Sequence, residues 1–236
     1  MSGPQICLEA IIGAGKTTLG EELGKVLGIP VYHEPVLGNP FLEEFYKDPK
    51  RWAFPMQMFL MGERFRIHEE AQIVALNGKG SIVDRSIVGD RAYAKLHTRE
   101  GNIDEKSWNY IYDRWFDYML GRIRVPQVIF FLDVEPTIAL DRIKERGRKA
   151  EAGIDLSYLK KLQREYYDLF SEIESGQHAW SRGMLVKRWQ WNVDHQDITA
   201  MVKFLEHEFP ILGSKKVHIA GRDEAPERQD SIREYA

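Results

Sequence analysis

The sequence has a single cysteine, Cys7, among its 236 residues. That excludes an intramolecular disulfide framework and any zinc site built from clustered cysteines. Cys7 sits in an apolar run, where a thiol acts as a small core group, and a reducing intracellular compartment fits. Long hydrophobic stretches are missing as well. The apolar runs are too short to span a bilayer. No basic stretch leads into an apolar one at the N-terminus, as a secretory signal requires. The chain also lacks a large excess of either charge: a net charge of −3 and a pI near 6.2 argue against nucleic acid or an anionic membrane as partners. The seven histidines show no metal-ligand spacing, and no segment repeats.

What is present is an alternation of short apolar runs and helical patterns. "QICLEA" reads as a strand entering a glycine turn, and "GKTTLGEELGKVL" places Leu19, Leu23, Val26 and Leu27 at helical spacing. "IPVYHEP" is a second strand, ended by Pro35. Residues 49–77 are helical, and "SIVD" is a third strand. Residues 104–122 form an aromatic-rich helix, "QVIFFLDV" a buried strand and 135–147 a helix. A helix over 155–176, a strand "MLVKRW" and a helix over 194–209 follow. Strands that alternate with helices predict an α/β fold whose parallel sheet is covered on both faces. We expect one domain over residues 1–212. The polar segment 213–236 reads as a flexible tail.

The glycine turn carries the first chemistry. In "CLEAIIGAGKTTLG", Gly13 and Gly15 let the backbone curl so that successive N–H groups face one anion. The helix that follows adds its positive end. Lys16 would reach the terminal phosphates and the Thr17 hydroxyl would ligate Mg²⁺, with Ala14 and Thr18 completing the loop. The strict phosphate-loop pattern has a glycine where this chain has Ala10. Alanine is tolerated there if φ is negative, because it adds only a methyl.

Two further features fall at strand ends. Ligands of open parallel sheets collect at the carboxyl ends of the strands. Glu34, just past the second strand, is either a proton acceptor for a substrate hydroxyl or a surface acid. Asp84 and Arg85, just past the third, are either a metal ligand with a phosphate clamp or a salt-bridged pair.

On the long helix, Gln57 and Arg64 share a face two turns apart. They either hydrogen-bond their neighbours or read a ligand such as a base edge, with Asp90 placed to pair with Arg64. Arg142, Arg146 and Arg148 are either solvated or part of a lid over 142–155 that closes on transferring phosphate. The aromatics of 108–118 wrap their helix, which suits core or a subunit interface.

Together "EAIIGAGKTT", "HEPV", "FYKDPKRWAFPMQMF", "DRSIVGDR" and "RIKERGRKAEAGIDLSYLKKL" resemble, in order and spacing, the deoxynucleoside kinase family. The match runs from about Ile6 to Asp194. Some segments look most like bacterial deoxyadenosine and deoxyguanosine kinases, others like the deoxycytidine branch. The resemblance implies a P-loop kinase fold: a doubly wound, five-stranded parallel sheet flanked by helices, with a short arginine-rich lid, in a cytoplasmic homodimer. It implies ATP as phosphate donor, Mg²⁺ and a deoxynucleoside acceptor. Glu34 would be the general base. Lys16 and Thr17 would serve ATP and Mg²⁺, with Asp84 near the metal. Arg85 would touch the 5′-oxygen and the phosphates, and Arg142, Arg146 and Arg148 would be the lid arginines. Gln57, Arg64 and Asp90 would read the base, and Tyr46 and Glu151 would hold the sugar 3′-hydroxyl. Ala10 and Ile11 depart from the family loop, which has glycine and asparagine there.

The expected reaction is 5′-phosphorylation of a purine deoxynucleoside, with deoxycytidine next and thymidine last. The alternatives are a nucleoside monophosphate kinase resembling thymidylate kinase and a nucleotide-binding regulatory module without transfer activity.

Overall fold

β1 (Gln5–Glu9) is buried at every position and lies at the centre of the sheet, between β3 (Ser81–Asp84) and β4 (Val128–Asp133). β2 (Val31–Tyr32) and β5 (Leu185–Gln190) are the edges, so the order is β2-β3-β1-β4-β5 and every pairing is parallel. The computed structural model describes residues 2–33, 39–148, 151–193 and 197–213. The three inner strands are buried almost throughout, and their central residues are apolar, because helices cover both faces. On the edge strand β5 only Val186 and Trp189 are half-buried and the other residues are exposed.

Helices supply the crossovers. α1 (Lys16–Leu27) follows β1 and buries Leu19, Leu23 and Leu27, while Val26 turns outward to solvent, against the expectation from spacing. α2 (Leu42–Lys47) leads into α3 (Pro49–Leu76), where Asp48 accepts from the Arg51 N–H as the cap and Pro49 takes the first position, which needs no N–H. α4 (Ile87–Arg99) starts directly after β3, capped by Ser86, whose Oγ accepts from the Gly89 N–H.

The aromatic segment read as one helix is divided into α5 (Glu105–Ser107), a π-helical turn (Trp108–Tyr112) and α6 (Asp113–Leu120). The extra residue of a π-turn rotates the faces on either side of it. Tyr112 and Phe116 point into the core, while Tyr110, Ile111, Trp115 and Tyr118 stay exposed.

α7 (Pro136–Arg146), α8 (Leu156–Glu174), α9 (Thr199–Glu208) and the short α10 (Pro210–Gly213) complete the fold. α1 packs beside α9, and a second group runs α3, α4, α8, α7. Among the described residues no helix is long and apolar enough to cross a membrane. The tail from 214 onward lies outside the described residues.

Parallel strands in register place their carboxyl ends on one edge. Leu8 pairs with Asp84, so the residues after β1 and those after β3 emerge side by side.

Candidate active site

The loop after β1 takes its shape from two glycines in the left-handed region, Gly13 (φ 85°) and Gly15 (φ 86°), the latter immediately before α1. A side chain at Gly13 would run into the Ala139 carbonyl and Ile143. Ala10 and Ile11 are buried, and neither is in the positive-φ region, where Arg85 is the one non-glycine among the described residues. The added methyl of Ala10 is therefore accommodated in the core. Lys16 is 8% exposed at the head of α1, Ala14 is buried, and Thr18 faces solvent.

Thr17 and Asp84, paired in expectation as metal ligands, are in direct contact: Thr17 Oγ1 donates to Asp84 Oδ2 at 2.5 Å. Asp84 is 3% exposed, and its other oxygen, Oδ1, has no hydrogen-bond partner among the described residues. A hydroxyl and a carboxylate with one unsatisfied oxygen form a hard-oxygen donor set, which fits Mg²⁺. No cluster of three or more His, Cys, Asp or Glu is found among the described residues. A cation that keeps its waters and takes phosphate oxygens does not need one.

Arg85 follows at φ 72°, a conformation that costs a residue with a Cβ about 1 kcal/mol or more. Its guanidinium donates to the Tyr166 hydroxyl at 2.9 Å and stacks over the Tyr93 ring, 4.7 Å from the centroid. Tyr166 in turn donates to Glu9 Oε2 at 2.9 Å. Glu9 and Tyr166 were missed by sequence reasoning. An acid closing an apolar strand was the available signal for Glu9; nothing local in the sequence singles out Tyr166. Burial and the neighbouring Glu9 charge push the Tyr166 hydroxyl well above the usual tyrosine range, so it stays protonated.

Gln57 and Arg64 on α3 and Asp90 on α4 are all nearly fully buried. Arg64 forms an ion pair with Asp90 Oδ1, as expected from their positions. Tyr112, also unanticipated, donates to Asp90 Oδ2 at 3.0 Å. Gln57 Oε1 is buried without a hydrogen-bond partner among the described residues. An unsatisfied acceptor in such a place costs about 1–3 kcal/mol until a donor reaches it.

The arginine-rich segment is closed on itself. Arg146 and Arg148 pair with Glu151 at 2.6 and 3.4 Å, and Arg142 donates to the Trp191 carbonyl at 3.4 Å. α7 continues to Arg146 and α8 starts at Leu156, so the first five residues of the expected 142–155 lid belong to α7; Lys149 and Ala150 lie outside the described residues. Tyr46 sits on α2, its hydroxyl pushed up to about 12 by burial and by the charge of Glu151. Beside it opens a cavity of about 580 Å³ lined by Phe45, His97, Asn102, Ile154 and Tyr158. Glu34 lies outside the described residues.

A phosphate loop, a hydroxyl–carboxylate pair and an arginine on one edge of a parallel sheet are the apparatus of a P-loop phosphotransferase. The deoxyadenosine kinase from M. mycoides, solved with products dCMP and a flexible dCDP bound, has the same fold. It matches at a TM-score of 0.70 and 24% identity, over 86% of this chain and 97% of that one. The family model "Deoxynucleoside kinase" matches residues 6–207. A deoxyadenosine kinase of Dictyostelium discoideum is 36% identical over 86% of this chain and 79% of its own length. A deoxyadenosine/deoxycytidine kinase of Bacillus subtilis is 32% identical over 70% and 76%. The chain belongs to the deoxynucleoside kinase family.

Proposed function

We propose that this enzyme transfers the γ-phosphoryl group of ATP to the 5′-hydroxyl of a deoxynucleoside, with purines preferred. The observation that carries the reading is the Thr17–Asp84 contact beside the phosphate loop, followed by the buried Arg85, together with a buried Arg64–Asp90 pair. The first suits a nucleotide's phosphates and the second suits a base.

In this reading Glu34 accepts the proton of the 5′-hydroxyl. Lys16 and the loop N–H groups hold the donor phosphates, and Arg85 with Arg142, Arg146 and Arg148 faces the charge on the transferring group. Thr17 and Asp84 would hold Mg²⁺, which when bound neutralises charge between the β- and γ-phosphates. Tyr46 and Glu151 hold the sugar. For the base, Arg64 donates toward a purine N7 and Gln57 presents its amide to the amino or amide edge. A buried site of this kind rejects a base whose polar edge does not match.

The homodimer belongs to the same proposal. Ile111, Trp115 and Tyr118 are exposed at helical spacing, a surface of the aromatic composition that subunit interfaces bury. A cytoplasmic setting accompanies it; Cys7, buried in β1, fits a reducing compartment.

An acceptor screen with ATP and Mg²⁺ tests the function. kcat/KM should be highest for deoxyadenosine or deoxyguanosine, lower for deoxycytidine and lowest for thymidine. A thymidine preference overturns the base pocket, and turnover of monophosphates alone replaces the reading with a monophosphate kinase. Glu34→Gln should keep ATP binding and lose most of kcat.

A further inference from the structure

Arg85 is tied down at both ends, and both ties lead to one carboxylate. On the backbone side, the Arg85 N–H donates to the Leu8 carbonyl at 3.1 Å. The next residue, Ser86, gives both its N–H and its hydroxyl to Glu9 Oε1, each at 2.6 Å. At the tip of the side chain, Nη1 donates to the Tyr166 oxygen, and that hydroxyl donates to Glu9 Oε2, both at 2.9 Å. Glu9, Ser86 and Tyr166 are fully buried and Arg85 nearly so.

Merely holding β1 to β3 does not require this. An ion pair taken out of water returns little net stability, and apolar side chains of similar volume hold strands together as well or better. The arrangement does achieve a defined geometry. The peptide after Arg85 is pinned while that residue stands at φ 72°, and the guanidinium is fixed by a hydroxyl that the Glu9 charge makes a stronger acceptor. Space is reserved for it: a Cβ on Gly89 would overlap the Glu9 carboxylate. Glu9 is also the last residue of β1, directly before Ala10 and the phosphate loop. One residue therefore sets Arg85 relative to the loop.

We propose that Glu9 and Tyr166 are positioning residues for Arg85, holding its backbone and its guanidinium in the geometry that phosphoryl transfer uses. The kinetic consequence rests on the phosphotransfer reading; the anchoring itself does not.

The test uses the full chain carrying Tyr166→Phe, which keeps the ring stacked on Phe131 and Phe170 and deletes the hydroxyl. With ATP, Mg²⁺ and the best deoxynucleoside, kcat should fall about 10- to 100-fold, while both KM values stay within about threefold. In an Arg85→Ala background the same substitution should cost less than about threefold more, since Tyr166 acts through Arg85. Gly89→Ala, which displaces Glu9 and leaves Arg85 and Tyr166 intact, should reproduce the kcat loss.

Nitrogen-detected NMR of arginine side chains reads the anchoring without turnover. Wild-type Arg85 should show hindered guanidinium rotation, and Tyr166→Phe should release it. Unchanged kcat, additive losses with Arg85→Ala, or a guanidinium equally hindered in both proteins would overturn the proposal. A wild type that phosphorylates no acceptor would refute the phosphotransfer reading and leave the NMR result to decide the anchoring.

Discussion

Thr17 Oγ1, on the first turn of α1, donates to Asp84 Oδ2, the last residue of β3, at 2.5 Å. Two elements far apart in sequence thus bring two oxygens together at the end of the phosphate loop. Asp84→Asn keeps the acceptor for Thr17 and removes the charge. The expected result is a kcat lower by on the order of 100-fold and a smaller rise in Tm when Mg²⁺ accompanies ATP. A Mg²⁺-dependent Tm shift as large as the wild type's would remove Asp84 from the metal site.

The buried Arg64–Asp90 pair should be fragile when one partner is taken from the other. Asp90→Ala leaves the Arg64 guanidinium buried opposite an apolar group, which costs about 3–5 kcal/mol. Tyr112→Phe deletes a single hydrogen bond to Asp90 and should cost about 1–2 kcal/mol. Chemical denaturation of the three proteins gives both differences. The reverse order of severity would mean that Tyr112, not Arg64, carries the Asp90 charge.

Acid should weaken the fold through two histidines. Burial lowers His68 from 6.5 to about 3, its Nε2 accepting from the Ile87 N–H, and burial lowers His97 to about 4. Each is neutral when folded and takes up a proton when unfolded below about pH 6.5. Their stabilisation is full above that pH and is lost as pH falls toward 4 and 3, at about 1.4 kcal/mol per pH unit for each group. Tm measured from pH 7 to pH 4.5 should fall, and His97→Phe should flatten part of the slope. An unchanged slope in His97→Phe would contradict this.

Restoring the family's loop residues should have two separable effects. Ala10→Gly removes a buried methyl at an ordinary backbone conformation, so KM for ATP should change less than about twofold, with up to about 1 kcal/mol lost in stability. Ile11→Asn places an amide where 99% of the side chain is buried among apolar groups, costing about 1–3 kcal/mol unless it finds partners. If KM for ATP instead falls several-fold in the double variant, the family's asparagine makes a nucleotide contact that Ile11 has given up.

Much of this was legible because parallel sheets write themselves plainly. Buried strands such as "VIFFLD" are continuous apolar runs, and the glycines of the loop punctuate the first crossover. The Arg64–Asp90 pair was foreseen from helix spacing and distance from β3. Three things were not. The π-turn at Trp108–Tyr112 arises from packing, because an aromatic helix sequence does not say where an extra residue is inserted. Val26 follows the apolar spacing yet faces out, since α1 turns its buried stripe toward the sheet along Leu19, Leu23 and Leu27. Glu9, Tyr112 and Tyr166 acquire their roles from partners 22 to 157 residues away, a relation that no local pattern encodes.

Glu151 keeps two of the arginines proposed as a lid occupied. Glu151 sits between Arg146 and Arg148 as a placeholder anion, so these cations are ordered and partly neutralised before any nucleotide arrives. On the proposed function, an incoming phosphate would be a competitor that displaces this carboxylate. Closure would then exchange one counterion for another, a threshold against small anions that carry less charge than a triphosphate.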